Sequence, residues 1–281
     1  MAYKDLLVQL SSYPEATSQS SVERAVDIAA TLGARISALT FEIDIPVPGS
    51  PLARAILDLP GIAAAEREKS INGAREVIST FNNAARLRGV CASHSVERGL
   101  TAQIPDAVSE HARLRDMTII PLQEDSFQQY IAECVIFGSG RPVLVMPDKP
   151  TNTGGITFDR IGIAWDFSRP AARALADALP LLQRAKVVRA VTVTHEKNID
   201  TRQARAELAN HLAVHGIDLV LEEEDAAGRT VGRTLVEYAE ARKLDLLVMG
   251  AFGHSRIRDL ILGGATKSIL EAPPLPVMLS H

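Results

Sequence analysis

Cysteine is scarce in this chain, with two residues in 281, Cys91 and Cys134. Two thiols without metal-ligand spacing make neither a disulfide framework nor a zinc site, so both are expected to be buried or inert. Long apolar runs are missing as well. No stretch reaches the ~18 consecutive apolar residues that a membrane-spanning helix needs. The opening MAYKDLLVQL lacks the apolar run of a secretory signal, so the expected location is the cytoplasm, with no membrane partner. Nor is charge of one sign in excess. A net charge of -4 offers no electrostatic reason to bind nucleic acid. Also absent are a Gly-x-Ser-x-Gly elbow, a His-Glu-x-x-His pair and a Cys-x-x-Cys pair, which removes the usual signs of hydrolase and zinc chemistry. Thr266-Lys267-Ser268 ends like a Walker loop, but Thr266 stands where that motif requires glycine.

The composition itself is ordinary, with 46% hydrophobic and 23% charged residues, and argues against wholesale disorder. At about 150 residues per domain, the length corresponds to roughly two. The two halves share a pattern. Asp5–Ser11 matches Arg160–Asp166, Asp116–Pro121 matches Asp245–Gly250, and Arg141–Val145 matches Leu275–Leu279. Between the copies, residues 147–155 form a Pro/Gly/polar linker, giving expected domains of 1–148 and 156–281. Short apolar strands alternate with stretches of helical period such as Val22–Leu32 and Leu235–Arg242. That alternation implies right-handed βαβ crossovers and a parallel sheet in each half. The first half carries two further features, a Pro-rich insertion at Ile45–Pro51 and a helical stretch from Ile62 to Arg88. The acidic run Glu222–Asp225 is expected to be a solvated loop, because consecutive acids in a strand point to alternate faces and rarely converge on a cation.

The strongest chemical signal lies at Leu244–Leu270. The apolar run Leu246-Leu247-Val248-Met249 ends at Gly250 and is followed by Gly253, then Gly263-Gly264 and Ala265-Thr266. Glycines between a strand and a helix let backbone approach a ligand closely, and the N–H groups that open a helix attract anions. This Gly-x2-Gly-x9-Gly spacing, with EYAEARKLDLLVMG before it and Leu275-Pro276-Val277-Met278-Leu279 after it, resembles the universal stress protein family of the UspA type. The family's ATP-binding members usually follow the third glycine with Ser or Thr, whereas here Gly264 occupies that place and Thr266 is the nearest hydroxyl.

The resemblance implies two tandem Rossmann-like α/β domains of the adenine nucleotide alpha hydrolase type, each a five-stranded parallel sheet flanked by helices. It also implies a stress-response role, with ATP, or ADP or AMP, and a Mg ion in the C-terminal half. Carried over to this chain, the site residues are Ala164, Trp165, Asp166, Val193, Met249, Gly250, Gly253, His254, Gly263, Gly264, Ala265 and Thr266. Asp166 would contact the ribose or the adenine, and His254 would face phosphate. No catalytic residue is implied, so binding with at most slow hydrolysis is the expectation, and a nucleotide-free structural or interaction protein is the other reading. The first half departs from the pattern. Pro121 replaces Gly250, Glu124-Asp125 follow, and Asp116 to Pro142 spans 26 positions against 31 from Asp245 to Pro276, five fewer. ATP is therefore expected only in the second half. In single-domain relatives the fifth strand pairs across two subunits. An intramolecular pseudo-dimer through Val143–Met146 and Val277–Leu279 is expected here, with a homodimer as a further possibility.

Overall fold

Ten short strands form one sheet, and the apolar runs explain which of them lie at its centre. The computed structural model describes residues 2–46, 59–123, 126–148, 156–194, 202–251 and 264–281. In the first half the strands are β1 (Asp5–Gln9), β2 (Arg35–Ile43), β3 (Ala92–Gly99), β4 (Met117–Leu122) and β5 (Val143–Pro147). In the second half they are β6 (Arg160–Ala164), β7 (Val187–Thr194), β8 (Leu219–Asp225), β9 (Leu246–Gly250) and β10 (Val277–Ser280). Their order across the sheet is β3-β2-β1-β4-β5-β10-β9-β6-β7-β8. Each half thus has the same internal order. Every neighbouring pair is parallel except β5 with β10, which is antiparallel.

The antiparallel register is symmetric, with Val277 opposite Val145, Met278 opposite Leu144 and Leu279 opposite Val143. All six residues are inaccessible to solvent. Such continuously apolar strands require cover on both faces, and helices supply it. On one face lie α1 (Gln19–Leu32), α2 (Leu59–Arg88), α5 (Arg169–Leu182) and α6 (Arg202–Val214). They pack on Leu6, Val8, Leu144, Ile161, Val248 and Met278. The opposite face carries α3 (Ile104–Arg113), α4 (Ser126–Gly138), α7 (Val231–Ala241) and α8 (Gly264–Glu271). These cover Leu7, Ile120, Val145, Leu247, Val277 and Leu279. Because successive strand residues point to opposite faces, each half contributes to both cores.

Polar contacts repeat in the two halves. Asp116 Oδ2 accepts the N–H groups of Lys4 and Asp5 at 2.7 and 3.0 Å, and Asp245 Oδ2 accepts that of Arg160 at 2.9 Å. Each aspartate precedes a central strand and ties it to the start of its neighbour, a physical reason for the repeated Asp. Further bonds cross between halves. The Tyr3 phenol donates to the Asp177 carbonyl at 2.5 Å, and Arg184 Nη2 donates to the Thr31 carbonyl at 2.9 Å. Burial pushes the Tyr3 phenol well above its usual range.

Several sequence expectations need correction. The acids at Glu222–Asp225 are not a loop; they belong to the edge strand β8. Alternation turns Glu222 inward, where Arg189 and Arg242 pair with it at 3.1 and 2.9 Å, while Glu223 pairs with Arg205. An edge laced with charge discourages further strand pairing. Burial of the thiols was also misjudged, because Cys91 is exposed and Cys134 half-buried. Cys91 sits just before the sparsely covered edge strand β3. The expected helix at Ile62–Arg88 begins slightly earlier, at Leu59. Residues 47–51 of the Pro-rich insertion, 149–155 of the linker, and Glu124-Asp125 lie outside the described residues. Among the described residues no helix is long and apolar enough to cross a membrane, and no cluster of His, Cys, Asp and Glu is arranged to hold a metal.

Met278 lies at the centre of the seam, fully buried among residues of both halves. Met278→Ala is expected to cost about 2–5 kcal/mol in urea denaturation. Amide hydrogen exchange should accelerate in β5 and β10 together. Acceleration confined to β10 would mean that the two strands do not share one core.

Candidate functional site

At the carboxyl ends of β6, β7 and β9 the chain forms a cavity of about 300 Å³. In parallel sheets such a crevice opens where the strand order reverses. That reversal falls between β6 and β9, since from β6 the chain runs outward to β7 and β8 before returning on the other side. Helices starting from the same end supply the remaining walls.

The floor comes from β6 and its continuation. Ala164 is the last strand residue, and the Trp165 N–H donates to the Val191 carbonyl at 2.9 Å, holding the chain against β7. Asp166 Oδ1 accepts the Ser168 N–H at 3.0 Å, and Ser168 Oγ in turn accepts the Ala171 N–H at 3.2 Å. Ser168, and not Asp166, is therefore the cap of α5. Between them Phe167 adopts a left-handed φ of 62° and stacks edge-on against Trp165, with ring centroids 5.8 Å apart. The indole Nε1 of Trp165 is shielded from solvent and has no hydrogen-bond partner.

Apolar walls come from Val191 and Val193 on β7, Val231 and Leu235 on α7, and Met249 on β9. Thr230 caps α7, its Oγ1 accepting the Arg233 N–H at 3.3 Å. The remaining wall is the first turn of α8, namely Gly264, Ala265 and Thr266. Thr266 is buried and Gly264 exposed. The opening amides of a helix lack intrahelical acceptors and carry the positive end of its dipole. Of the described lining residues Asp166 is the only ionisable one. A slot with apolar walls, one carboxylate and a helix N-terminus suits a flat ring joined to polar and anionic groups.

The two glycines that frame this site differ physically. A Cβ on Gly250 would sit 2.3 Å from the Ala171 nitrogen and 2.5 Å from the Pro170 carbonyl carbon, so close packing of β9 on α5 by itself demands glycine. A Cβ on Gly264 would meet nothing within 4 Å. Packing does not require that glycine.

Of the residues singled out from the sequence, Ala164, Trp165, Asp166, Val193, Met249, Gly250, Gly264, Ala265 and Thr266 come together around this one cavity. Gly253, His254 and Gly263 lie outside the described residues. Sequence reasoning missed Val191, Thr230, Val231 and Leu235. Val191 was within reach, being two residues from Val193 on one strand and so on the same face. Thr230 carried a signal too, as a hydroxyl residue immediately before a helical stretch.

Known proteins match the chain unevenly. The sequence model described as the universal stress protein family matches residues 157–281. A universal stress protein of Synechocystis sp. is 48% identical over 44 residues, which is 16% of this chain and 15% of that protein, so the chain spans a small part of that relative. A universal stress protein from Archaeoglobus fulgidus DSM 4304 has a similar solved structure, with a TM-score of 0.69 at 19% identity over 98% of this chain and 95% of that one. A protein of unknown function from Pseudomonas aeruginosa PAO1 superposes with a TM-score of 0.57 at 15% identity, covering 99% and 92%. Identities this low speak to fold alone. Residues 157–281 thus match the universal stress protein family, in a chain that over 98% of its length shares the fold of the Archaeoglobus fulgidus protein.

Proposed function

We propose that the chain is a stress-response protein that holds one adenine nucleotide, ATP or one of its lower phosphates, in the cavity of its C-terminal half. The observation that carries this reading is the meeting of an apolar slot, the Asp166 carboxylate and the first turn of α8 at one strand-order reversal. In it Val191, Val193, Leu235 and Met249 pack against the base, with Trp165 beneath it. Asp166 accepts from hydroxyl groups while its Oδ1 keeps the turn to Ser168 closed. The amides that open α8, with Thr266, receive phosphate. The nucleotide and any accompanying Mg ion bring charge that these residues position. We propose binding, not efficient turnover, because the one carboxylate is engaged in holding its own turn.

The first half is read as incompetent for the same ligand. Pro121 sits within β4 opposite Met146 and has no N–H to offer, and α4 carries Phe127 and Gln128 in its first turn where α8 carries Ala265 and Thr266. The β5–β10 seam supports reading the chain as an intramolecular pseudo-dimer. A second reading rests on Gly250. Because packing against Ala171 already requires that glycine, a nucleotide-free interaction protein of the same fold would retain it too.

The two readings part at Gly264. Gly264→Val adds bulk where no neighbour lies within 4 Å, so thermal stability should stay within about 0.5 kcal/mol of the parent. ATP affinity by calorimetry should fall at least tenfold, about 1.4 kcal/mol. The parent should bind one ATP per chain and change the emission of Trp165, the single tryptophan. No saturable binding by the parent would leave the interaction protein as the reading. Gly250→Ala should instead destabilise the ligand-free chain by about 3 kcal/mol in urea, since its methyl would meet backbone at 2.3 Å.

A further inference from the structure

One contact between the halves lies beside the cavity that Asp166 borders. It comes from α4, a helix of the first half. The N-terminal part of α4, with Phe127, Gln128 and Ile131, lines that half's own cavity of about 250 Å³. Its 13 residues span about 20 Å, and the helix packs across the seam on α8. Near its end Phe137, 39% exposed, sets its ring against the imidazole of His281, with centroids 4.8 Å apart and planes inclined at 67°.

His281 directly follows β10, and its Nδ1 lies 3.1 Å from the Ala251 carbonyl oxygen. A carbonyl can only accept, so the imidazole donates and carries its hydrogen on Nδ1. The Ala251 N–H in turn donates to the Ser280 carbonyl at 2.8 Å, and Ser280 stands opposite Gly250 in the register of β9 with β10. The imidazole thus extends that ladder by one bond, with a side-chain donor in place of a backbone one. Ala251 is held at both of its polar groups and is inaccessible to solvent. It adjoins Gly250, which lines the cavity. Phe137 and His281 are both exposed, so their rings gain little from burial. What the contact fixes is the orientation of the imidazole, and through it the Ala251 carbonyl.

We infer that His281 is a positioning residue for the ligand-binding end of β9, and that the first half supports it through Phe137. The inference rests on the adenine-nucleotide reading of the cavity. A backbone shift at Ala251 moves Gly250 with it, and a ligand that approaches backbone closely needs that backbone held in advance. The half read as incompetent for nucleotide thereby serves the site of the other.

Calorimetry with ATP on the full-length chain tests this. His281→Ala should weaken ATP about fivefold, the loss of one hydrogen bond that holds the backbone in place. His281→Asn, whose side-chain amide reaches the place of Nδ1, should stay within about twofold of the parent. Phe137→Ala should weaken ATP about threefold in the parent. Added to His281→Asn it should change nothing, because no ring remains to be oriented. Melting temperatures should stay within about 2 °C of the parent, since both side chains are exposed. In the ligand-free chain, hydrogen exchange at the Ala251 amide should accelerate in His281→Ala and not in His281→Asn. Unchanged ATP affinity in both His281→Ala and Phe137→Ala, from a parent that binds ATP, would overturn this inference and leave the functional reading standing. So would a His281→Asn variant as weak as His281→Ala. A parent without saturable ATP binding removes the reading and this inference together.

Discussion

The antiparallel pairing of β5 with β10 is the interaction on which the rest of the molecule depends. Separated, each half would end in a fully apolar strand whose amides and carbonyls lack partners, an edge that invites aggregation. Joining them removes both edges at once. The residues opposite one another, Val277 with Val145 and Leu279 with Val143, are valine and leucine throughout. Alternation then directs Met278 and Leu144 into one core and their neighbours into the other, so that neither core belongs to one half alone. The outer edges face the opposite demand. On β8, Glu222 and Glu223 are paired with arginines, and β3 is largely exposed.

The same sheet determines where chemistry is possible. In each half the chain leaves its first strand in one direction and returns on the other side, which opens a crevice between the helices at the carboxyl ends of those strands. Two equivalent crevices result, and their residues make them unlike. In the second half small residues open α8, and a carboxylate follows β6. In the first half α4 opens with Phe127 and Gln128, Ser11 stands where Asp166 stands, and Gln9 replaces Ala164. One framework thus offers a slot suited to an anionic ligand beside another whose described lining residues carry no charge.

Glycine illustrates how a single residue type serves two purposes. Gly250 is forced by backbone only 2.3 Å from where its Cβ would lie, whereas Gly264 has open space around it. In a motif the two look alike. A glycine-spaced loop therefore carries information about packing and about ligand approach together, and sequence spacing cannot apportion it.

Much was nevertheless legible from the chain. Strand runs such as Leu246–Met249 are apolar throughout because both of their faces are covered, and the repeated aspartates Asp116 and Asp245 marked equivalent strand starts. Asp166, Gly250 and Thr266 were recognisable as neighbours because strand ends and helix starts meet at one edge of a parallel sheet. Local pattern misjudged Glu222–Asp225, since ion pairs with Arg189, Arg205 and Arg242 come from distant segments. Val231 and Leu235 were invisible as cavity residues for the same reason: an apolar helical position reads identically whether it faces a core or a crevice. The sequence by itself determined the alternation of strands and helices, the two-copy pattern and the placement of small residues at Gly264–Thr266, because these follow from local periodicity and side-chain size. Tertiary structure alone decided the antiparallel register in which β5 and β10 meet, that Gly250 is required by Ala171, and that Gln9 and Gln128 are both buried. Each of those depends on which distant segments pack against one another, and no local pattern encodes that.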